Sequence, residues 1–300
     1  MKASALYRSE LWKAGLSAAR KLPAPISGGL ARLFGAGYYA FSNNRPEIVI
    51  ENLLPAVNGD YVRAEKLTRE LFQNFAQKLV DLWRYESGIP IEHLFRYRSG
   101  LEVFETAKQE KRGILIVTPH LGNWEFGAPI LAKRGIRLLV ITMEEPDPRL
   151  TEMRKASRER WGIETLVIGS NPFAFIEVIR RLEAGEVVAL LVDRPHPANS
   201  VIVELFGKPF AASVAPAELA RATGCKIVPV YLPRIADGYA AHTLPEIEYE
   251  RAALRPMEAR QALAQKIMRA FEPVIREHLS QWYHFVPIWN REESPLKQAK

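Results

Sequence analysis

The chain has 300 residues, 48% hydrophobic and 25% charged, which is the composition of a globular protein with a substantial core and excludes a disordered or fibrous chain. Its single cysteine, Cys225, excludes an intramolecular disulfide and a cysteine-cluster metal site. The formal net charge of +7 favours anionic partners, namely nucleic acid, anionic lipid or phosphorylated substrates.

The amino-terminal segment is basic and amphipathic, with aromatic and aliphatic residues between its charges. Residues 22–44 are nearly uncharged, but Arg32, two prolines and several glycines interrupt them, so they make a poor membrane-spanning helix. No small-residue cleavage site follows a compact apolar run, which argues against a secretory signal. We therefore predict that residues 1–44 form an arm that contacts an anionic membrane surface. The alternative is a set of ordinary helices with a solvated basic face.

The rest of the chain predicts an α/β domain over residues 45–290 and a polar tail at 291–300. Residues 61–87 carry apolar side chains every three or four positions, which indicates an amphipathic helix. From residue 113 onward short apolar runs alternate with amphipathic segments, and a last helix is expected at about 257–282. The apolar runs are GILIVT, RLLVIT, ETLVIG, EVVALLVD, VIVELF and KIVPVYL, and the helical segments between them cover 123–135, 148–162, 172–185 and 215–224. This alternation predicts a single largely parallel sheet flanked by helices.

The stretch TPHLGNWEFG places a histidine and a glutamate where the first of these strands ends. Ligands gather at the carboxyl ends of strands in such sheets, so His120 is well placed for function. A turn through Gly122 would bring Glu125 near His120, with Asn123 as the helix N-cap. Glu125 could then accept a hydrogen bond from His120 and orient it as a base for a substrate hydroxyl. An incidental surface pair is the alternative.

The segment HLGNWE resembles the His-(four residues)-acidic motif of the lysophospholipid acyltransferase superfamily. It is most similar to the bacterial branch that contains the lipid A secondary acyltransferases (lauroyl and myristoyl transferases) and the phosphatidylinositol mannoside acyltransferase. Two later segments, RRLEAGEVVALLVDRP and VELFGKPFAASVAPAELARATGCKIVPVYL, resemble further blocks of that branch, and RPEIVIENLLPAV resembles its amino-terminal region. The resemblance covers about residues 5–290.

The resemblance implies an enzyme that moves a fatty acyl chain from an acyl thioester to a hydroxyl of a membrane lipid, at the cytoplasmic face of the inner membrane. The donor would be acyl-carrier protein or acyl-CoA. His120 would be the general base and Glu125 its orienting partner. Metal ions, other cofactors and a covalent acyl-enzyme are not part of this scheme.

Several further residues are candidate substrate contacts. Asn123 and Trp124 belong to the motif, Gly207 lies in the aromatic-Gly step of the third block, and Asp193 and Arg194 close a strand at the ligand-bearing edge. Arg149, Arg154 and Arg158 could bind phosphate through their guanidinium groups. The alternatives are a solvated helix face for the three arginines and a structural salt bridge for Asp193.

The acceptor lipid stays open. The phosphate-gripping block Phe-Pro-Glu-Gly-Thr-Arg of the glycerol-phosphate acyltransferases is absent, since VDRPHPANS stands in its place. The lipid A members of this branch usually begin with a clearer hydrophobic membrane anchor than the interrupted apolar segment at residues 22–44 of this chain. A glycolipid, an aminolipid or another lysolipid is therefore also compatible as the acceptor. There is no G-x-S-x-G and no H-E-x-x-H, and His120 with Glu125 offers too few ligands for zinc. No RNP-like or helix-turn-helix arrangement supports nucleic-acid binding. A non-catalytic membrane-surface protein is the rival from another class.

Overall fold

The structure, a computed structural model, describes residues 8–168 and 173–289, so the predicted tail and the first seven residues of the predicted arm lie outside the described residues. The helices are α1 (Ser9–Lys21), α2 (Ala24–Phe41), α3 (Arg45–Leu53), α4 (Tyr61–Glu86), α5 (Glu102–Gln109), α6 (Gly127–Ala132), α7 (Pro148–Glu159), α8 (Ala174–Glu183), α9 (Ala215–Thr223) and α10 (Met257–Glu277). The strands are β1 (Phe95–Ser99), β2 (Ile114–Thr118), β3 (Leu138–Met143), β4 (Glu164–Ile168), β5 (Val187–Leu191), β6 (Ser200–Leu205), β7 (Lys208–Ser213), β8 (Lys226–Tyr231), β9 (Arg234–Ile235) and β10 (Gly238–Thr243).

The predicted α/β class is confirmed. The main sheet has the order β1-β10-β8-β2-β5-β3-β4, and the five strands from β8 to β4 are mutually parallel. β2, all of whose residues are buried, lies between β8 and β5 in the middle of the sheet. Because β2, β5 and β8 run in parallel, their carboxyl ends meet at one edge, where the segments after Thr118, Leu191 and Tyr231 come together.

The structure departs from the predicted elements in three places. The run VIVELF forms β6, which pairs with β7 in a separate antiparallel hairpin and not with the parallel sheet. Phe206 and Gly207 form the turn of that hairpin with positive φ angles of 53° and 72°, a conformation that explains the glycine. The predicted helix 123–135 is shortened to a 3₁₀ turn (Trp124–Phe126) followed by α6. The last helix ends at Glu277, and a 3₁₀ turn continues to Gln281.

The predicted helix at 61–87 is confirmed as α4, which Asp60 caps by accepting a hydrogen bond from the backbone N–H of Arg63. α1, α2 and α3 all pack against α4. Each of α1 and α2 approaches α4 most closely at a glycine: a Cβ on Gly15 would fall 2.4 Å from the ring of Trp83, and one on Gly35 would fall 2.8 Å from the backbone of Gln73. Across residues 8–168 and 173–289, none of the helices combines the length and the apolar character needed to cross a bilayer.

Candidate active site

The turn after β2 depends on Gly122. Gly122 has a φ of +62°, and a Cβ at this position would lie 1.9 Å from the carbonyl oxygen of Leu232. The backbone N–H of Gly122 donates to Gln281, and the backbone N–H of Asn123 donates to Leu232. The predicted turn is therefore present, and it ties the residues after β2 to the end of β8 and to the carboxyl-terminal segment.

The carboxylate of Asp193 is the partner of His120. Nδ1 of His120 lies 2.7 Å from Oδ1 of Asp193, and the backbone N–H of His120 also donates to both carboxylate oxygens. Oδ2 of Asp193 also forms hydrogen bonds with Trp282 Nε1 at 2.8 Å and with His284 Nε2 at 2.9 Å. The Asp193 side chain has 0% exposed surface and its carboxylate is occupied by these protein donors, and its predicted substrate contact stays a prediction. A carboxylate removed from water needs such a set of donors, and these come from two separate parts of the chain.

The contact with Asp193 sets the chemistry of His120. Burial alone would raise the pKa of Asp193, but its interactions with His120 and His284 hold it well below 3.8, so the carboxylate is ionised and only accepts hydrogen bonds. Nδ1 of His120 must then carry the proton, which leaves the lone pair of Nε2 free to act as a base. Burial lowers the pKa of His120 below 6.5, with Asp193 opposing that shift, so the imidazole is neutral at neutral pH.

Glu125 does not orient His120, and the predicted hydrogen bond between them is wrong. Its carboxylate instead accepts from Arg158 at 2.9–3.1 Å and from Arg154 at 2.5 Å. The physical reason is the turn: the residues after Gly122 are directed towards α7, whose two guanidinium groups share one helix face. Burial alone would raise the pKa of Glu125, but Arg158 and Arg154 lower it far below 4.5. Both guanidinium groups are therefore already paired with carboxylates of the protein, Arg158 with Glu125 and Arg154 with Glu125 and Glu145, and their predicted binding of phosphate stays a prediction.

The other predicted site residues lie in varied surroundings. Asn123 is fully buried and its side chain makes no capping hydrogen bond, and its predicted substrate contact stays a prediction. Trp124 lies beside His120, with ring centroids 5.0 Å apart. Arg149 and Arg194 are exposed, and Gly207 lies in the β6–β7 turn, whose Phe206 contacts Trp282. The substrate roles of Arg149, Arg194 and Gly207 stay predictions.

An apolar cavity runs along the sheet from the Trp124 side of the site. It encloses about 880 Å³ when the open space at its mouth is included. Its walls come from β2, β3, β5, β8, β10, α5, α6 and α7, and most of the lining residues are aliphatic or aromatic. Glu125 and Arg158 are the charged residues of the lining, and the remaining lining includes Trp124, Ala128, Leu131, Ile116, Ala189 and Phe104.

Three neighbours of the site were missing from the sequence analysis. Trp282 and His284 are about ninety positions from Asp193, and no local pattern marks them. Lys78 of α4 is 5% exposed, and its Nζ lies 3.0 Å from the centroid of the Trp124 ring. Burial lowers its pKa well below 10.5. The burial of Lys78 could have been predicted from the sequence, because Lys78 follows Phe75 by three positions and so lies on the inward face of the predicted helix.

His120, Asp193 and His284 offer ligand atoms within 4.8 Å of one another, a spacing compatible with a metal ion. The same atoms make the direct hydrogen bonds of 2.7 and 2.9 Å described above. A metal ion bound by this set would have to replace both bonds and displace their protons. The donor set therefore fits a hydrogen-bonded arrangement better than a coordination site.

Comparison with known proteins gives a consistent result. The profile of the bacterial lipid A biosynthesis acyltransferases matches residues 6–291. The chain is 24% identical over 297 residues to the phosphatidylinositol mannoside acyltransferase of Mycolicibacterium smegmatis, covering 96% of this chain and 93% of that protein. It is 25% identical over 226 residues to the protein of the same name from Mycobacterium tuberculosis, covering 73% and 70% of the two chains.

The ion cluster at Glu125 generates a stability prediction. Glu125→Gln leaves the buried guanidinium groups of Arg154 and Arg158 short of a counter-charge, and we expect the free energy of unfolding in urea at pH 7 to fall by about 3–5 kcal/mol. Since the pKa of Glu125 is depressed, its contribution is present above pH 4.5 and is lost as the pH falls below that value.

The difference between wild type and Glu125→Gln should therefore shrink as unfolding is measured at successively lower pH. The matched control is Glu65→Gln, which breaks a partly exposed ion pair with Arg69 on α4 and should leave stability nearly unchanged. A Glu125→Gln variant as stable as wild type at pH 7 would contradict the assignment.

Proposed function

The chain belongs to the bacterial lipid A biosynthesis acyltransferase family, and from this premise we propose that it transfers a fatty acyl chain from an acyl thioester to a hydroxyl of a phosphorylated glycolipid. The observation that carries the proposal is His120, with Nδ1 bound to the buried Asp193 and Nε2 free, beside an apolar cavity. The matched phosphatidylinositol mannoside acyltransferases support a mannosylated phosphoinositide as acceptor.

The reaction requires one proton to move twice. Nε2 of His120 takes the proton of the acceptor hydroxyl as its oxygen attacks the thioester carbonyl, so a C–O bond forms while the C–S bond breaks. The imidazolium then returns the proton to the departing thiolate. Asp193 stabilises the imidazolium between these steps and holds the ring in the required tautomer. In this scheme Glu125 orders the loop through α7 and does not take part in proton transfer.

The apolar cavity is the proposed site of the acyl chain. Its lining is predominantly apolar, and Trp124 contributes to its wall while also contacting His120. A chain lying there would hold its carbonyl near Nε2. Phe126, the residue after Glu125, is fully buried in a different cluster with Tyr85 and Tyr239.

The acyl donor in this proposal is acyl-CoA or acyl-carrier protein, since either presents the same thioester. A lipid A precursor, an aminolipid or a lysophospholipid is the alternative acceptor. Incubating the purified protein with palmitoyl-CoA and each acceptor class, with mass spectrometry of the lipid products, distinguishes them. A mannosylated phosphoinositide that gains no acyl chain while another lipid does would reject the proposed acceptor.

The packing of α2 supports a proposed peripheral attachment to an anionic membrane at the cytoplasmic face. Ser27, Ala31 and Gly35 face α4, while large apolar side chains point outward. The outward set comprises Ile26, Leu30, Leu33, Phe34 and Phe41. A helix in water buries its large apolar side and exposes its small or polar side, so this reversed arrangement fits an apolar medium outside α2. Basic residues exposed on α1, including Lys13, Arg20 and Lys21, suit anionic headgroups.

The base assignment predicts a large loss of activity on substitution of His120. General-base catalysis contributes about 10²–10⁴-fold, so His120→Ala should lower acyl transfer by that factor without unfolding the protein. Since burial lowers the pKa of His120, the midpoint of the acidic limb of the kcat/KM profile should lie below pH 6.5.

Asp193→Asn removes the charge that favours the imidazolium, so it should slow transfer and move the acidic limb to lower pH, whereas Glu125→Gln should leave the position of the limb unchanged. Near-normal transfer by purified His120→Ala would reject the base. If the acidic limb of the kcat/KM profile moves in Glu125→Gln and not in Asp193→Asn, the pairing of His120 with Asp193 is rejected.

The cavity assignment predicts a change of chain-length preference. Ala128→Phe adds a ring to the cavity wall formed by α6, so we expect the preferred acyl donor to shorten. Each buried methylene contributes about 0.8 kcal/mol, so losing room for two carbons should shift the preference roughly tenfold. Transfer rates for acyl-CoA donors from C8 to C18 measure this. Ala132→Phe, on the same helix but outside the lining, is the control, and an unchanged profile for Ala128→Phe would contradict the assignment.

The proposed attachment predicts that liposome binding depends on the outer face of α2. Leu33 and Phe41 are 71% and 86% exposed, so Leu33→Ser with Phe41→Ser should preserve the fold while weakening co-sedimentation with phosphatidylglycerol-containing liposomes. The control Val62→Ser replaces a residue that is 77% exposed on α4 and should bind as wild type does. Equal binding by the double variant and the wild type would argue against α2 as the attachment face.

A further inference from the structure

Helix α1 is fastened to the rest of the protein by polar contacts with α7 and α4. The backbone N–H of Ser9 donates to Asp147 Oδ2 at 2.7 Å, and Asp147 also accepts from the backbone N–H of Arg149 at the start of α7. Trp12, which is 5% exposed, donates its Nε1–H to Glu86 Oε2 at 2.6 Å at the end of α4. These contacts specify one position for α1, which a helix serving only as a membrane anchor would not require.

The groups that Trp12 contacts belong to the ion cluster around Glu125. The guanidinium of Arg154 lies 5.3 Å from the centroid of the Trp12 ring, and its Nε lies 3.7 Å from Glu86. The same guanidinium donates to Glu125 at 2.5 Å and to Glu145 at 3.0 Å. Two contacts therefore lead from α1 to the loop that carries His120: Trp12 touches Arg154, and Arg154 binds Glu125.

Trp12 affects this cluster in two ways. Its ring shields Arg154 from water, which strengthens the ion pairs because they then lie in a medium of lower dielectric constant. Its N–H favours the ionised form of Glu86, whose pKa is raised by burial and lowered by Arg154 and by Trp12. Without the indole, Glu86 would more readily take up a proton and would hold Arg154 less firmly.

We infer that Trp12 is a positioning residue for acyl transfer, through which α1 keeps Arg154 on Glu125 and thereby fixes the loop from His120 to Glu125. The inference rests on the proposed function for its kinetic test. It makes α1 a part of the active site as well as a surface for the bilayer.

The kinetic test uses water-soluble substrates, so that membrane binding does not limit the rate. The full chain is assayed with octanoyl-CoA and a deacylated glycerophosphoinositol mannoside. Trp12→Phe keeps a ring but removes the N–H, and we expect kcat to fall about three- to tenfold, as loss of one such hydrogen bond allows, with KM for the donor and liposome binding unchanged. Ser17→Ala, on the exposed side of α1, should match wild type. Wild-type kcat in Trp12→Phe would overturn the inference.

A second measurement does not depend on activity. If Trp12 and Glu125 act through Arg154, the fall in melting temperature of the Trp12→Phe/Glu125→Gln double variant should be smaller than the sum of the two single losses. Additive losses would overturn the inference even if wild type transfers acyl chains. A wild type that transfers no acyl chain, combined with non-additive losses, would instead reject the proposed function and leave the coupling of α1 to the loop in place.

Discussion

The buried carboxylate of Asp193 is the constraint on which the arrangement of the site depends. A carboxylate without solvent must be met by donors, and here they come from His120 after β2 and from Trp282 and His284 near the carboxyl terminus. The carboxyl-terminal segment is therefore drawn across the edge of the sheet. Asn52 of α3 holds the same segment from its other side by donating to the carbonyl oxygens of His284 and Val286. Segments from both ends of the described chain thus enclose one catalytic histidine candidate.

A second buried carboxylate, Glu125, stands on the far side of the Gly122 turn and has a different kind of partner. Guanidinium groups keep their charge, so Glu125 stays ionised and serves as a fixed anchor for its loop. The imidazole of His120 can gain and lose a proton, so its hydrogen bond with Asp193 becomes an ion pair when the ring is protonated. The turn at Gly122 therefore separates the His120–Asp193 pair, which can transfer a proton, from Glu125, which fixes the loop by its ion pairs with α7.

Two apolar surfaces of the molecule, the outer face of α2 and the cavity beside Trp124, are both suited to contact with hydrocarbon. α2 directs small residues inward and large apolar residues outward, and the cavity beside Trp124 is lined by hydrocarbon. In the proposed function an acyl chain would leave a carrier, enter an apolar cavity and end on a lipid. Each stage keeps its methylenes out of water, so the protein need not supply the free energy of hydrating them.

Local patterns in the sequence determined the α/β class, the helix at Tyr61–Glu86, the strand before His120 and the need for a turn at Gly122, because periodicity and glycine conformation act over a few residues. The sequence placed His120 correctly at the carboxyl end of a strand, but it assigned Glu125 as its partner because the two are neighbours in the chain. Only the tertiary structure decided that Asp193 takes this place, 73 positions away, since a buried carboxylate and its donors are matched by proximity in space. The same holds for His284 and for Trp12 with Glu86, contacts across 91 and 74 positions that no spacing rule along the chain encodes.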